Sequence, residues 1–187
     1  MQGCYLYIKT VVLSDKQVNF YTKSANYGFS NANMGAKKYQ NMENRVVDAE
    51  IMLVSYYPNY RTTLAWYQDL ELCKQVDNRD SVYDLDLLKR MYQYLNKHGD
   101  LFYIKYKGRL CGDVCLQTGG EVNIVISKQF QNQHIGRRVM NEIICLAREK
   151  EMRKLHAEIY FFNLQSQKMF QSVGFLKVDE EQYVFYL

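Results

Sequence analysis

The order of hydrophobic and polar residues divides the chain into an irregular N-terminal segment and a longer part with regular periods. Residues 1–47 begin with a partly alternating, β-rich stretch and then become polar, with many Asn and Gly. From residue 48 onward, short apolar runs typical of strands alternate with stretches in which apolar residues recur at helical spacing. We therefore expect an extension over residues 1–47, with a possible hairpin and an irregular segment, and one domain over residues 48–187.

The predicted elements of that domain follow the order of an α/β (α+β) fold with a mixed sheet and no long repeat. Pro58 ends the first predicted strand, because proline cannot donate to a sheet ladder. The elements are a strand over Glu50–Tyr56, a short helix over Thr62–Gln68 with Asn59 as its cap, a loop over Asp69–Asp80, a helix from Asp84 to Lys97, strands over Leu101–Tyr106, Arg109–Leu116 and Glu121–Ser127, a helix over Gly136–Glu151, a strand over Leu155–Phe161, a helix over Leu164–Val173 and a closing hairpin that ends in Tyr183–Leu187.

Local signals set several of these boundaries. Asp84 is a suitable N-cap for the helix that follows it, and Gly99 is expected to end that helix in the left-handed conformation. Lys107-Gly108 is a hairpin signal between two strands. Five apolar residues form the buried stripe of the later helix: Val139, Met140, Ile143, Ile144 and Ala147.

Composition and charge exclude several classes of protein. With 48% hydrophobic and 24% charged residues, the chain is neither intrinsically disordered nor a coiled coil. Its apolar runs are shorter than the roughly 18–20 residues of a membrane span. The net charge of +4 comes from scattered basic residues. It would suit an anionic ligand but does not by itself indicate nucleic acid.

The cysteines indicate a reducing compartment. They are five in number and include no CxxC pair. Cys111 and Cys115 are four residues apart on a predicted strand, so they should lie on one face. Without further Cys or His at ligand spacing, buried free thiols are expected rather than a metal site. The N-terminus also has no secretion signal pattern, so we expect a cytoplasmic protein.

The most informative segment runs from a strand through a short polar loop into a helix, over residues 123–138. Free N–H groups at the start of that helix would attract a phosphate, and Gly136 would let a ligand approach the backbone closely. Arg137 and Arg138 could add charge-assisted contacts. An ordinary strand-to-helix connection with surface arginines explains the same residues, and they do not decide between the two readings.

Two motifs resemble those of the GNAT superfamily of N-acetyltransferases. Gln131–Gly136 reads Gln-Asn-Gln-His-Ile-Gly and resembles the acyl-CoA-binding pattern Gln/Arg-x-x-Gly-x-Gly/Ala, with His134 in place of the first glycine. Asn163–Phe175 resembles the pattern Asn-x-x-Ala/Ser…Tyr/Phe-x-x-x-Gly-Phe. The resemblance covers about residues 50–187. Trp66–Asp69 and Asp84–Asp113 resemble the branch with ribosomal-protein N-terminal and aminoglycoside 6'-type acetyltransferases.

This resemblance implies a GNAT fold with a central, mostly antiparallel sheet of six to seven strands flanked by helices. It also implies acetyl-CoA as co-substrate and no metal. The backbone of one strand would pair with the pantetheine arm, the polar loop would hold the pyrophosphate, and an asparagine would contact the cofactor or cap a helix. The matching residues are Ile124, Val125 and Ile126 on the strand, Asn132, Gln133, His134, Ile135, Gly136 and Arg137 at the loop, and Asn163.

For catalysis, the resemblance implies a carboxylate that takes a proton from the attacking amine. Glu158 matches the position of the proton acceptor in related enzymes, Glu121 is a second carboxylate and Asp113 a third. Each could equally be a solvated or ion-paired residue on a strand. Phe170 occupies the position of the expected general-acid tyrosine, so water or another hydroxyl would protonate CoA, or the thiolate would leave unassisted.

The resulting hypothesis is an N-acetyltransferase (EC 2.3.1.-) that moves an acetyl group from acetyl-CoA to a primary amine of a small molecule or protein N-terminus. The amine would attack directly in a ternary complex. We expect no nucleic-acid or membrane partner, and a homodimer is left open. The acceptor pocket is expected from Tyr57–Ser81, Tyr83–Lys97 and the loop near Asp179–Gln182. The main alternative is a catalytically silent acyl-CoA-sensing or protein-binding module, which the departures at His134 and Phe170 favour; an RNA-binding module is the third.

Overall fold

The computed structural model describes residues 42–187, which form two β-sheets and five α-helices. The first sheet is antiparallel and keeps its five strands in chain order. The second has three antiparallel strands in the order β6-β8-β7. The strands are β1 Arg45–Val46, β2 Ile51–Ser55, β3 Gly99–Tyr106, β4 Arg109–Gln117, β5 Val122–Ile126, β6 Lys154–Glu158, β7 Leu176–Lys177 and β8 Gln182–Tyr186.

The helices cover the faces of these sheets. They are α1 Tyr60–Leu64, α2 Leu70–Asp77, α3 Leu85–His98, α4 Ile135–Glu149 and α5 Leu164–Ser172, with 3-10 turns at Trp66–Gln68 and Lys128–Phe130. This architecture confirms the predicted α/β fold with a mostly antiparallel sheet. The strands predicted as one sheet of six to seven are divided between a five-stranded and a three-stranded sheet. β7 is the first strand of the predicted closing hairpin, whereas β1 was not predicted, because its two residues are too few to give an apolar run. The predicted N-terminal hairpin lies outside the described residues.

Helix α2 contradicts the prediction of a loop over Asp69–Asp80. The Asp69 side chain accepts a hydrogen bond from the backbone N–H of Leu72 at 3.1 Å and caps the helix. Asn78 ends it in the left-handed conformation. The helix is only eight residues long and buries just Leu72 and Cys73, so its apolar period was too weak to detect. Asn59, predicted as the cap of the preceding helix, makes no such bond.

Of the two predicted ends of α3, the structure confirms the first and corrects the second. Asp84 accepts a hydrogen bond from the N–H of Leu87 at 2.7 Å, which confirms the N-cap. Gly99 is not left-handed: its φ of −165° is extended, and α3 passes directly into β3. Glycine is required there for another reason, because a Cβ would lie 2.6 Å from the carbonyl oxygen of Leu116 on the neighbouring strand.

The β3–β4 hairpin turns at Lys107-Gly108, as predicted, with both residues at positive φ. Its register shifts at Ile104/Lys105, which marks a bulge. The prediction that Cys111 and Cys115 share a face is therefore wrong. Cys111 packs in the core under α4, whereas Cys115 packs in the core under α3. Both are buried free thiols, as is Cys73, while Cys145 is exposed.

The first sheet thus separates two hydrophobic cores. One contains the buried stripe of α4, which includes all five predicted residues. The other lies under α3 and is rich in tyrosine, with the ring of Tyr92 in contact with those of Tyr56, Tyr67 and Tyr103.

The two sheets meet at a single parallel bridge between Glu121 and His156. There the N–H of His156 donates to the carbonyl oxygen of Gly120 at 2.9 Å. Beyond this bridge β5 and β6 separate, and β5 remains an edge of the first sheet. Two cavities lie along β5 on this side, and residues of both β5 and β6 line the smaller one.

Candidate active site

A cleft of about 470 Å³ opens between β5, the loop that follows it, the first turn of α4 and helix α5. All predicted cofactor-binding residues line it except Gln133, whose side-chain amide instead donates to the carbonyl oxygen of Gln129 at 3.3 Å. The lining residues that the sequence predicted are Ile124, Val125, Ile126, Asn132, His134, Ile135, Gly136, Arg137 and Asn163.

The loop into α4 contains two residues in the left-handed conformation, Asn132 with φ 60° and His134 with φ 59°. His134 is the N-cap residue of α4, and its side chain makes no capping bond. The N–H groups of the first helical turn therefore keep their capacity for a ligand, and Ile135, Gly136 and Arg137 face the cleft. The Gln131 side chain donates to the carbonyl oxygen of Ile126 at 2.9 Å and ties the loop to the end of β5.

The two arginines after Gly136 have different roles. Arg137 lines the cleft. Arg138 points instead to the turn between β1 and β2, where its guanidinium donates to Asp48 at 2.5 and 2.7 Å and lies 2.9 Å from Glu50. This pairing, above all the hydrogen bond from Arg138, holds the pKa of Asp48 below its usual range. A second cation of the cleft, Lys168 on α5, was missed because it occupies an unspecified position of the Asn163–Phe175 motif.

Packing among the described residues does not require a glycine at position 136. A Cβ at this position would meet Met169 at 3.6 Å, which is ordinary van der Waals contact. Glycine in a helix costs about 1 kcal/mol relative to alanine.

Asn163 is a buried residue that lines the cleft and caps α5. Its Oδ1 accepts from the N–H of Ser166 at 3.1 Å, which confirms the predicted cap. Its Nδ2 donates to the carbonyl oxygen of Gln75 at 3.1 Å and thereby fastens α5 to α2.

A smaller chamber of about 90 Å³ adjoins the cleft and shares with it part of β5, α2 and the start of α5. Three carboxylic acids line it, Asp77, Asp113 and Glu158, and the described residues around it include no Lys, Arg or His. Of the two predicted catalytic residues, Glu158 thus lies on the chamber. Glu121 lies outside both cavities, where its carboxylate accepts a hydrogen bond from the side chain of Asn123 at 3.2 Å.

Asp113 is the most buried of these acids, with 3% of its surface exposed. Its Oδ2 accepts hydrogen bonds from the hydroxyls of Tyr92 at 2.7 Å and Tyr67 at 3.2 Å. Burial raises the pKa of Asp113 to about 7, although both phenols favour the ionised form. Burial likewise raises the pKa of Asp77 to about 6, against the hydrogen bond from Tyr83. Asp77 belongs to the Tyr57–Ser81 segment from which the acceptor pocket was predicted, where its charge was expected to suit a cationic amine; it was not among the predicted catalytic residues.

Phe170 also lines the chamber. It is 3% exposed and packs edge-to-face on Phe175, with ring centroids 5.0 Å apart, so the prediction of a packed core aromatic is confirmed. The chamber has hydroxyl groups nearby on Tyr67 and on Ser166, which lies one helical turn before Phe170.

The expected acceptor pocket is formed in part. Residues from Tyr57–Ser81 and from α3 line the chamber. No residue of Asp179–Gln182 lines either cavity, and the carboxylate of Glu181 accepts instead from the N–H of Phe161 at 3.1 Å.

Residues 42–187 hold no group of three His, Cys, Asp or Glu side chains that could bind a metal ion. None of the helices in this part of the chain has the length and apolar character needed to cross a membrane.

Comparison with known proteins places these cavities in a family context. The sequence profile of the Acetyltransferase (GNAT) family matches residues 63–175. No curated protein matches the chain in sequence.

Solved structures share the fold at low sequence identity. A domain from Methanocaldococcus jannaschii has 19% identity and a TM-score of 0.65, over 75% of this chain and 100% of that one. Spermidine N-acetyltransferase from Vibrio cholerae, in complex with CoA and spermine, has 14% identity and a TM-score of 0.61, over 73% and 93%. A Salmonella typhimurium acetyltransferase that modifies the N-terminal serine of a 50S ribosomal protein has 11% identity and a TM-score of 0.61, over 78% and 99%.

Proposed function

Since the chain belongs to the GNAT acetyltransferase family, we propose that it transfers an acetyl group from acetyl-CoA to a primary amine of a small molecule or a protein N-terminus. One observation carries the proposal: the cleft connects a helix N-terminus suited to phosphate with an open strand edge and a chamber lined by carboxylic acids. These are the three parts that a reaction between a nucleotide thioester and an amine requires.

In this proposal the first turn of α4 binds the pyrophosphate through its backbone N–H groups. Gly136 keeps that turn free of a side chain, and Arg137 supplies positive charge. The pantetheine arm lies along β5, whose edge is open beyond Glu121, and pairs with the backbone of Ile124–Ile126 as an added strand would. The thioester then lies where the cleft meets the chamber, beside Val125 and Asn163.

The reaction is a direct attack within the ternary complex. The ammonium loses a proton to Glu158, and the neutral amine forms a C–N bond to the thioester carbonyl carbon. A backbone N–H of β5 stabilises the oxyanion. The nitrogen of the tetrahedral intermediate then loses its second proton to water, the C–S bond breaks, and the CoA thiolate leaves and takes a proton from water, because Phe170 has none to give. Glu121 acts only indirectly, through its contact with Asn123.

Calorimetric titration with acetyl-CoA, followed by mass spectrometry of a panel of amines and peptides, tests the proposal. We expect binding and an acetylated product. Glu158→Gln should lower kcat by about 10²–10⁴-fold, the usual range for a general base. Glu121→Gln, the matched control, should keep most of the activity. Absence of acetyl-CoA binding would refute the proposal as a whole.

The departures at His134 and Phe170 favour a second candidate, a catalytically silent acyl-CoA-binding module. It predicts that acetyl-CoA binds while no amine in the panel is acetylated. Both candidates place the protein in the cytoplasm, a proposal supported by the buried free thiols of Cys73, Cys111 and Cys115.

A further inference from the structure

Asp113 lines the chamber, and within residues 42–187 only one of its two carboxylate oxygens accepts hydrogen bonds. Both tyrosines donate to Oδ2, and no residue in 42–187 donates to Oδ1. The side chain is almost fully buried. A carboxylate oxygen that no described donor occupies can accept a hydrogen bond from a ligand that brings a donor.

The chamber also determines the charge of that ligand. Its described lining contains Asp77, Asp113 and Glu158 and no cationic side chain. In a buried space the attraction between such carboxylates and a cation is weakly screened. A positively charged ligand is therefore favoured, and an anionic one is repelled.

The size of the chamber limits the shape of the ligand. Its volume of about 90 Å³ is smaller than the roughly 150 Å³ of a cavity that admits benzene. The remaining wall is largely apolar, with side chains such as Met91, Leu95, Ile159 and Phe170. An ammonium group on a slender aliphatic stem matches both the size and the polarity.

We propose that Asp113, oriented by Tyr67 and Tyr92, is the specificity-determining residue that anchors the acceptor as an unhindered alkyl ammonium in this chamber. The inference rests on the proposed function, in which the acceptor's nitrogen attacks a thioester beside Val125. Asp113 and Val125 are direct partners in the β4–β5 ladder. Asp113 binds the cation and orients it, while Glu158 takes the proton.

This assignment makes acceptor binding depend on pH. Asp113 binds an ammonium as the carboxylate and not as the neutral acid, and its pKa in the empty chamber is about 7. Affinity should thus rise with pH through 7, about tenfold from pH 6 to pH 8, as the ionised fraction grows. The titratable groups around Asp113 are Tyr67 in the 3-10 turn, Asp77 on α2, Tyr92 on α3, Tyr103 on β3, Cys111 and Cys115 on its own strand, and Glu158 on β6.

The test is a titration of the full chain, saturated with CoA, with n-butylammonium chloride at pH 6, 7 and 8, followed by NMR chemical shifts. We expect the tenfold gain in affinity for the wild type. Asp113→Asn should lower the affinity at pH 8 about tenfold and abolish the pH dependence. Asp100→Asn is the matched control, because Asp100 is a largely buried strand carboxylate paired with Lys150 outside both cavities. It should behave as the wild type.

Three outcomes would overturn the inference. They are binding of 1-butanol as tight as that of butylammonium, an affinity of Asp113→Asn for butylammonium equal to that of the wild type, and no binding of butylammonium to the wild type. Should Asp113→Asn not fold, the side-chain ¹³C resonance of Asp113 in the wild type decides: butylammonium must lower its titration midpoint, and an unmoved midpoint overturns the inference.

The two proposals fail separately. Absence of CoA binding refutes the proposed function, and the butylammonium titration of the unliganded chain still tests Asp113. With an accepted amine, Asp113→Asn should raise KM about tenfold at pH 8 with kcat little changed. A fall in kcat with KM unchanged would overturn the anchoring role.

Discussion

Replacement of His134 with glycine tests whether the loop into α4 is strained by its side chain. His134 has φ 59° and ψ 13°, in the left-handed region. This region costs a residue with a Cβ about 1–2 kcal/mol, and glycine adopts it freely. The His134 side chain makes no capping bond that the variant would lose.

The expected gain follows from two opposing terms. Relief of the left-handed conformation stabilises the folded chain by about 1–2 kcal/mol. The greater freedom of glycine in the unfolded chain offsets about 0.5–1 kcal/mol of this. His134→Gly should thus raise the free energy of unfolding by up to about 1.5 kcal/mol, which corresponds to at most about 6 °C in Tm for a chain of this size.

Urea and thermal denaturation measure this change, and Gln133→Gly is the control. Gln133 is the adjacent loop residue and has no positive φ, so glycine there brings the entropic cost, together with the loss of its exposed hydrogen bond to Gln129, and should lower stability. Changes of the same sign in both variants would refute the reasoning. Calorimetry adds a second readout: acetyl-CoA affinity within about threefold of the wild type supports binding by the backbone, and a large loss would assign the imidazole to the phosphates.

Two further predictions concern stability. A Cβ at Gly112 would lie 2.0 Å from the carbonyl oxygen of Val125, so Gly112→Ala should lower the free energy of unfolding by at least about 3 kcal/mol in urea denaturation. In the control Gly119→Ala, the new Cβ meets nothing within 4 Å, so the free energy of unfolding should change by less than about 0.5 kcal/mol. Equal effects of the two substitutions would contradict the placement of β5. Burial raises the pKa of Asp113 from 3.8 to about 7, so the folded state binds more protons than the unfolded state in this range and stability falls as pH rises through it. Between pH 5 and pH 8 the free energy of unfolding should fall by at most about 3 kcal/mol from this cause. Asp113→Asn should make this fall smaller. A fall of the same size in the variant would count against the burial of the Asp113 carboxyl.

The elements that sequence periodicity predicted well are those with many buried positions. Helix α4 buries seven residues at helical spacing, and its apolar stripe was visible without any structure. Helix α2 was missed because it buries only two residues and begins at a cap, Asp69, that lies inside a polar stretch. Short elements depend on contacts with the rest of the fold rather than on their own pattern.

Errors at single residues had a similar origin. Gly99 does follow the last residue of α3, as predicted, but glycine is needed there because β4 approaches closely and not because the helix ends in the left-handed conformation. The bulge opposite Ile104/Lys105 turned Cys111 to the other face of the sheet, and a period-two pattern cannot register an extra residue.

By itself, the sequence determined the order of the longer elements, the loop into α4 with its departure at His134, and the family motifs, because each of these is encoded in neighbouring residues. Only the tertiary structure decided which charges meet. It turned Arg138 away to Asp48, left Glu121 outside the cavities, and brought Asp77, Asp113 and Glu158 from three separate elements to one chamber. The divergence of β5 from β6 creates that chamber, and burial there changes the protonation of its acids, which no spacing along the chain can express.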